Sequence, residues 1–342
     1  MKLRTISIAA AAAVLTVLPA CSVDAVADSS SEGREQTVPT VDSASDLKIA
    51  YFSAGASNAY LQASIDEAKK TADELGAELD VFDGQFNAQT QFDQMQNAIT
   101  SGKYNAFAVE PNDGNLVCNM LTQQAPEKNI IVSVFNLPIC GRATNSGEET
   151  WEPGTVNYVG GQTLDVYEAW VEKVKADHPD GAKIALISGP DLNANTLCFF
   201  DAAKAFEGDG RYEVVSKQTT DYTTPKGFQA AQTILQANPD LDVVMSNFSG
   251  MTRGVVQATA GRDVAVYDFG GDQWALDNVS SGAITSSVMM LPRLETRLAI
   301  EGLADTVEKR DTARFVDLST SDSLPGTPFA ERSNVADFTA EY

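Results

Sequence analysis

Short apolar runs of strand type alternate with helix-like segments along most of the chain. Leu47–Phe52 is the first such run, and apolar residues then recur at helical spacing over 58–76 until Gly76. Because a helix separates each strand from the next, the pattern predicts βαβ units with parallel strands. The predicted strands are 47–52, 79–82, 106–109, 130–135, 156–159, 183–187, 213–217, 241–246, 264–269 and 284–289. The predicted helices are 58–76, 88–101, 114–125, 162–177, 193–207, 225–237, 251–260, 273–281 and 292–307.

A loop over 141–154, rich in Gly, Asn, Thr and Glu, interrupts this alternation. The same rhythm resumes after the loop, so the chain divides into two consecutive α/β halves. A chain of 342 residues is long enough for two domains of ordinary size with full cores. We therefore predict an α/β fold of two Rossmann-like domains, each a parallel sheet wrapped by helices. An irregular tail is expected over 319–342.

The charge balance is strongly acidic, with a formal net charge of −23. Acidic residues are spread along the chain, which is typical of a solvated surface. Nucleic-acid binding needs a basic patch, and electrostatic docking on anionic lipid also needs positive charge. The composition therefore argues against nucleic acid as a partner and against electrostatic attachment to a membrane.

The residue types on which much catalysis depends are scarce. The chain has one histidine, His178, at the predicted end of a helix. It has no G-x-S-x-G elbow, no phosphate loop ending in Lys-Ser/Thr and no G-x-G-x-x-G after a strand. Acidic residues are so numerous that carboxylate pairs alone do not indicate a glycosidase. We therefore predict a protein that is not an enzyme and uses neither a metal nor a cofactor.

The N-terminal segment has the three parts of an export signal. Lys2 and Arg4 give a positive start, and Ile6–Leu18 is an apolar run too short for a comfortable membrane span. Small residues then lead directly to Cys21. This ending resembles the bacterial lipobox, in which the cysteine is lipidated and becomes the first residue of the mature protein.

The resemblance to a lipobox implies a signal peptide over 1–20 and a lipid on Cys21. Residues 22–45 are rich in Ser, Asp, Thr, Val and Ala without a sustained apolar period, which predicts a flexible tether. The protein is then expected to be exported and anchored to the cell membrane through the lipid, in the periplasm or on the outer face. The alternative is an ordinary signal peptide with an incidental cysteine.

The remaining cysteines, Cys118, Cys140 and Cys198, do not have the C-x-x-C spacing of a metal site. Cys118 falls early in a predicted helix, and Cys140 falls just after the strand that follows. These two places lie near each other in a βαβ unit, and exported proteins can hold disulfides. We expect a Cys118–Cys140 disulfide, with two buried free thiols as the alternative. Cys198 is then an unpaired, buried thiol.

Short polar motifs follow several of the predicted strands, beginning at Ser57-Asn58-Ala59-Tyr60-Leu61. The later ones are Glu110-Pro111-Asn112-Asp113, Asn136, Ile187-Ser188-Gly189-Pro190, Asp221-Tyr222-Thr223-Thr224, Asn238-Pro239-Asp240, Met251 with Gly254, Phe269-Gly270-Gly271-Asp272 and Leu291-Pro292. In this order and spacing, the series resembles the ribose- and galactose-type periplasmic binding proteins. These are the substrate-binding subunits of sugar ABC importers. The resemblance covers about residues 46–310.

The resemblance implies the type I periplasmic-binding-protein fold, in which two domains are connected by a hinge and the ligand lies in the cleft between them. Ligands of open α/β sheets bind beyond the carboxyl ends of the strands, where these motifs fall. The implied N-terminal domain is 46–159 plus 291–312, and the C-terminal domain is 160–290 plus 313–342. The chain is expected to cross between them near Tyr158–Gly161, Met290–Pro292 and 310–314.

The resemblance also implies a function. The protein is expected to capture a small sugar or sugar-like molecule by domain closure, as a monomer, and to deliver it to the permease subunits of an ABC importer. The alternative is a sensory binding protein that presents its ligand to a membrane receptor or kinase. The two have the same fold and cleft, so the sequence does not distinguish them.

Carried over position by position, the family pattern gives a mixed pocket. Asn58, Tyr60, Asn136 and Tyr222 match cleft positions of the family, and Glu110 stands where the family often has Asn. At four other positions the family often has a polar residue, whereas this chain has an apolar residue or an aspartate displaced by two positions. Those positions are Phe200, Phe248, Met290 and, two residues after Gly270, Asp272. Gln162, Asn193, Asn195 and Asn247 are further polar candidates.

Several of these residues have an alternative interpretation. Asn58 is also a good helix N-cap, Phe200 and Phe248 are equally suited to the core, and Glu110 is equally suited to a hinge or surface. The pocket lacks an arginine and at least one aspartate that the resemblance would supply, and it gains Phe and Met. We therefore predict a small neutral ligand with an apolar face, such as a deoxy or substituted sugar, rather than an unmodified pentose.

Overall fold

The computed structural model describes residues 39–342 and contains two sheets covered by helices. The strands are β1 (Lys48–Ser53), β2 (Glu78–Asp83), β3 (Ala106–Val109), β4 (Ile131–Phe135), β5 (Asn157–Gly160), β6 (Ala182–Ser188), β7 (Tyr212–Thr219), β8 (Val243–Ser246), β9 (Ala265–Gly270), β10 (Ser286–Met289), β11 (Phe315–Asp317) and β12 (Phe329–Glu331). The α-helices are α1 (Ala59–Leu75), α2 (Ala88–Ser101), α3 (Leu164–Asp177), α4 (Ala194–Ala202), α5 (Lys204–Glu207), α6 (Thr224–Ala237), α7 (Ser249–Thr259), α8 (Gln273–Ser281) and α9 (Pro292–Val307).

Each sheet has six strands. Their order is β11-β5-β4-β3-β1-β2 in the first sheet and β12-β10-β9-β8-β6-β7 in the second. Every strand pair is parallel except β10 with β12, which is antiparallel. The central strands β3, β4 and β8 are completely buried, as expected for parallel strands covered by helices on both faces. The predicted α/β class with two parallel sheets is confirmed.

Local signals fix where the first helices begin and end. Asn58 precedes α1, and its side-chain oxygen accepts a hydrogen bond from the Leu61 N–H at 2.9 Å. Gly76 ends α1 in the left-handed conformation, with φ of 70°. Asn87 and Gly102 have the same two roles for α2. These caps hold the amino ends of the helices next to the carboxyl ends of the preceding strands, where the polar motifs lie.

Aromatic residues dominate the core beside the second sheet. Trp170 and Tyr167 on α3 pack against Phe199 on α4 and Phe269 on β9, and all four are fully buried. The Tyr167 and Phe269 rings stack with centroids 4.7 Å apart. The same cluster includes Tyr60, which lies in the first turn of α1 beside the first sheet. Packing is therefore continuous between the two sheets at this point.

The segment predicted as a helix over 114–125 is irregular, and this prediction is wrong in detail. It contains a five-residue π-helix, Met120–Gln124, instead of an α-helix. The Gly114 carbonyl accepts a hydrogen bond from the Cys140 N–H at 3.1 Å, and Cys118 is bonded to Cys140. These links hold the segment against the loop after β4 and compete with regular helical hydrogen bonding. The predicted helix 193–207 is divided into α4 and α5.

The third crossing between the sheets lies later than the sequence indicated. β11 pairs with β5 in the first sheet, so residues 315–317 lie there and not in the C-terminal half. Phe315 stacks on Tyr158 of β5 with ring centroids 6.1 Å apart, which favours this pairing. The crossing therefore falls between β11 and β12 and not at 310–314. The tail is also more regular than expected, because β12 pairs with β10 and Ala330 is fully buried.

The expected disulfide between Cys118 and Cys140 is present, with the Cα atoms 4.9 Å apart. Cys198 is a free, buried thiol, as expected. The predicted signal peptide over 1–20, the lipid site Cys21 and the tether up to residue 38 lie outside the described residues. Across 39–342, no helix has the length and apolar character needed to cross a membrane.

Candidate functional site

A cavity lies where the carboxyl ends of the strands of both sheets face each other. Its volume is about 50 Å³, and it is lined from both halves of the chain. Glu110 follows β3, Asn136 follows β4, Asn247 follows β8 and Met290 follows β10. The lining residues are Ala54, Asn58, Tyr60, Leu61, Phe86, Glu110, Asn112, Asn136, Leu137, Gln162, Asn193, Asn195, Tyr222, Asn247, Phe248 and Met290. This is the place where ligands bind in open α/β sheets.

A chain of side-chain amides crosses from one half of the cavity to the other. The Asn195 Nδ2 donates to Gln162 Oε1 at 2.6 Å, and Gln162 Nε2 donates to Asn136 Oδ1. Asn136 Nδ2 then donates to Glu110 Oε1 at 2.6 Å. Every amide therefore donates toward Glu110, which is the final acceptor. We call these four residues the amide chain.

The backbone holds Asn136 in place. Its φ is 60°, in the left-handed region that Asn tolerates better than most residues. Its N–H donates to the Val159 carbonyl at 2.9 Å, and its own carbonyl accepts from the Tyr158 hydroxyl at 2.7 Å. The strands β4 and β5 therefore fix both the position and the direction of the Asn136 side chain.

Glu110 is buried, with 1% of its surface exposed. Burial raises the pKa of its carboxyl to about 7, because the charged form loses water. Hydrogen bonds from Asn136 and from the Ala54 N–H, at 3.3 Å, oppose this rise. The alternative that Glu110 is a surface residue is therefore wrong.

The second half of the chain supplies aromatic rings. Tyr222 and Phe248 meet edge to face, with centroids 5.7 Å apart. The Tyr222 hydroxyl donates to Asn193 Oδ1 at 2.9 Å. The ring passes so close to Gly189 that a Cβ atom there would lie 1.9 Å from Tyr222 Cζ. Gly189 is therefore required for this ring position.

Two amide oxygens on the same side have no hydrogen-bond partner. They are Asn195 Oδ1 and Asn247 Oδ1, on residues that are 7% and 2% exposed. The Asn247 Nδ2 donates to Ser188 Oγ at 2.8 Å, which leaves its oxygen as the free group. Buried polar atoms normally have a partner, so these oxygens are suited to accept hydrogen bonds from a bound molecule.

The structure brings together eight of the ten predicted ligand-binding residues. These are Asn58, Tyr60, Glu110, Asn136, Gln162, Tyr222, Phe248 and Met290. Asn58 has both of its proposed roles, because it caps α1 and lines the cavity.

Phe200 and Asp272 do not line the cavity. Phe200 lies on α4 beside Phe199 and lines a surface groove with Leu192 and Leu197. Asp272 caps α8 by accepting from the Ala275 N–H at 2.7 Å, and its other oxygen pairs with Arg253. The requirement for an N-cap and an ion pair turns this carboxylate away from the cavity.

Five lining residues are not among the candidates predicted from the sequence, namely Ala54, Leu61, Phe86, Asn112 and Leu137. Asn112 belongs to the motif after β3 and was recognisable there. Phe86 lies in a loop with φ of 51°, and its ring approaches Gly55. Loops have no hydrophobic period, so no sequence signal places Phe86. Within the described part of the chain, no group of three or more His, Cys, Asp or Glu residues is placed to hold a metal ion.

Comparisons with known proteins agree with this architecture. Residues 49–311 match the family model described as periplasmic binding protein domain. The ribose import binding protein of Escherichia coli (strain K12) is 28% identical over 233 residues, which cover 66% of this chain and 73% of that protein. The ribose import binding protein of Bacillus subtilis (strain 168) is 24% identical over 253 residues, covering 72% and 77%.

Solved structures give the same result. An ABC transporter solute binding protein from Mycobacterium smegmatis with bound glycerol is 28% identical, with a TM-score of 0.72 over 85% of this chain and 96% of that one. The Caulobacter myo-inositol binding protein, bound to myo-inositol, is 19% identical with a TM-score of 0.73, covering 86% and 96%. The second likeness shows the fold, which is that of two α/β domains around a ligand cleft.

Proposed function

Because this chain belongs to the periplasmic binding protein family, we propose that it captures a small sugar or sugar-like solute outside the cytoplasm and delivers it to the permease of an ABC importer. The observation that carries the proposal is the cavity between the two sheets, which combines a dense set of amides with aromatic rings. Amides donate and accept hydrogen bonds, as the hydroxyls of a sugar require, and rings pack on its apolar C–H face.

The proposed ligand is small and neutral and has an apolar face. Tyr222, Phe248 and Phe86 offer ring surface, whereas Asn195 and Asn247 offer unpartnered oxygens. A deoxy sugar, a substituted sugar or a related polyol matches this combination. An unmodified pentose matches it less well, because it has less apolar surface to place against three rings.

The proposed mechanism is closure of the two domains around the solute, followed by docking on the permease and release. The amide chain supports this, since Gln162 lies just after the first crossing and joins Asn136 of the first half to Asn195 of the second. Of these two bonds, the one between Gln162 and Asn136 connects the two halves. The protein acts by binding, as a monomer, and needs no catalytic group.

Anchoring by a lipid on Cys21 is part of the proposal. The tether that follows would keep the closing domains within reach of a permease in the same membrane. Replacement of Cys21 by alanine is expected to move the protein from the membrane fraction to the soluble fraction of fractionated cells. Retention of the Cys21→Ala variant in the membrane fraction would contradict the anchor.

The proposed function is tested by native mass spectrometry of the full-length protein, followed by thermal-shift and calorimetric measurements with sugars and polyols. A co-purified neutral solute of sugar size is expected, and its addition should raise the melting temperature. Asn195→Ala should weaken binding, while Asn238→Ala, whose side chain bonds to the Ile234 carbonyl, is the control. Failure of every sugar and polyol to bind refutes the proposal. Tight binding of ordinary pentoses, without binding of deoxy or substituted sugars, refutes the apolar-face part alone.

A further inference from the structure

Glu110 is the single charged side chain among the described residues that line the cavity. Both of its oxygens accept hydrogen bonds, Oε1 from Asn136 and Oε2 from the Ala54 N–H. An ionised carboxylate accepts at both oxygens, whereas a protonated one must donate from one of them. Both oxygens of the ionised form therefore have a donor, although burial still raises the pKa of Glu110 to about 7.

No lining residue balances this charge. Arg293 and Arg297 on α9 have other partners, since Arg293 donates to the Glu341 carbonyl and Arg297 pairs with Glu67. A second buried acid, Glu295 on α9, lies behind the same wall, where its carboxylate accepts a hydrogen bond from the Tyr60 hydroxyl. Burial raises the pKa of Glu295 well above its ordinary value, so Glu110 is the group that supplies negative charge to the cavity.

The free hydrogen-bonding atoms point to the same preference. Each amide of the amide chain donates one N–H in the direction of Glu110, and the opposite end leaves Asn195 Oδ1 as an unpartnered acceptor. Asn247 Oδ1 is a second one. Hydroxyl and ammonium groups can donate to these oxygens, whereas a carboxylate offers only acceptors.

We propose, resting on the proposed sugar capture, that Glu110 makes this site select by ligand charge, so that it accepts neutral sugars and their amino derivatives and rejects sugar acids. A carboxylate inside a closed cavity meets the Glu110 charge in a medium that screens poorly, and no cation is at hand. An ammonium group in the same place is attracted by the same charge.

The test uses the full-length protein and calorimetric titration at about pH 8 with matched sets of three ligands. The sets are D-glucose, D-galactose and D-mannose, each with its uronate and its 2-amino-2-deoxy form. For a parent sugar that binds, the uronate should bind at least about 100-fold more weakly, and the amino form at least as tightly as the parent. In Glu110→Gln, the preference for the parent over the uronate should shrink to within about fivefold.

A second measurement needs no variant. At about pH 5.5 a uronate is still ionised, while Glu110 is largely protonated because its pKa is about 7. The preference of the wild-type protein for the parent over the uronate should therefore shrink between about pH 8 and pH 5.5. The other titratable groups facing Glu110 are Glu295 on α9, Tyr60 on α1, Tyr51 on β1 and Tyr222. The same pH dependence should persist in Glu295→Gln, which separates the two acids.

The outcomes are distinct. A uronate that binds within about threefold of its parent, or a preference that neither Glu110→Gln nor low pH reduces, overturns the charge selection and leaves sugar capture intact. Tight binding of a uronate without its parent also overturns it. If none of the nine compounds binds and no sugar co-purifies, the proposed function fails and the charge selection fails with it.

Discussion

The two walls of the cavity solve the problem of buried polar groups in different ways. In the first wall, Glu110, Asn112 and Asn136 bond to the protein itself, for example through Asn112 Nδ2 to the Ala54 carbonyl at 2.9 Å. In the second wall, Asn195 and Asn247 each keep an unpartnered oxygen beside aromatic rings. The first wall is complete without a ligand, whereas the second is complete only with one. Substitutions in the first wall should therefore change stability, and those in the second should change affinity.

The largest expected effect concerns the first wall and pH. Burial raises the pKa of Glu110 from 4.5 to about 7, so between these values the unfolded chain loses a proton that the folded chain keeps. The retained proton on Glu110 therefore adds to the free energy of unfolding at low pH. This stabilisation is fully present below about pH 4.5 and is lost by about pH 7, a change of about 3 kcal/mol. The free energies of unfolding of the wild type and Glu110→Gln should be measured with urea over this pH range. From low to high pH, the wild type should lose about 3 kcal/mol relative to Glu110→Gln.

The control for this measurement is Glu127→Gln, at an exposed position of the same half of the chain. Its difference from the wild type should stay constant with pH. If the difference in unfolding free energy between the wild type and Glu110→Gln is equally constant with pH, burial does not destabilise the charged form of Glu110. The two walls then do not differ in electrostatics.

The next effect breaks the second wall. Gly189→Ala would place a Cβ atom within 1.9 Å of the Tyr222 ring, so the ring must leave its position. We expect ligand affinity to fall about 100-fold by calorimetry, because the ring and its bond to Asn193 are displaced together. Gly208→Ala is the matched control, since no heavy atom lies within 4 Å of the Cβ position there. Equal affinities of the two variants would show that Tyr222 does not contact the ligand.

A smaller effect is expected from Asn136→Ala in the first wall. It leaves Glu110 and Gln162 without their amide partner and should lower the free energy of unfolding by about 2 kcal/mol, measured without ligand. Asn129→Ala controls for the backbone, because Asn129 has φ of 58° and is exposed, compared with 60° at Asn136. A loss no larger than that of Asn129→Ala would mean that the amide chain contributes nothing to stability.

The smallest effect should come from Asn247→Ala in the second wall. Loss of the unpartnered Oδ1 should weaken binding about tenfold, and loss of the buried hydrogen bond to Ser188 should lower the free energy of ligand-free unfolding by about 1 kcal/mol. Asn238→Ala, in the same half of the chain, is the control and should leave ligand affinity unchanged. An Asn247→Ala variant that loses stability but retains affinity would reverse the distinction between the walls.

The sequence predicts most of the fold because its signals are local. Apolar runs such as Ala106–Val109 coincide with β3, and the Asn and Gly caps of α1 and α2 stand where the helices begin and end. Asn136 was recognisable as a site residue because it directly follows a buried strand. By contrast, β11 has three residues and joins the first sheet through a partner more than 150 positions earlier in the chain, which no local pattern specifies.

Errors in the site have a common physical cause. Asp272 follows a strand end, as the true site residues do, but a nearby helix start and Arg253 compete for its carboxylate. Phe200 follows Phe199 on α4, and neighbouring residues of a helix point in different directions, so the core takes one ring and the surface groove the other. The direction in which a side chain points depends on such competing partners, and these come from distant parts of the chain.

The late positions of β11 and β12 bear on the order in which the protein can fold. The first sheet receives its last strand at residues 315–317 and the second at residues 329–331. Because synthesis begins at the N-terminus, neither domain can be completed until nearly all of the chain has been synthesised. For most of its synthesis it has no finished core to resist being threaded through a narrow pore, which suits a protein that folds after it has crossed a membrane.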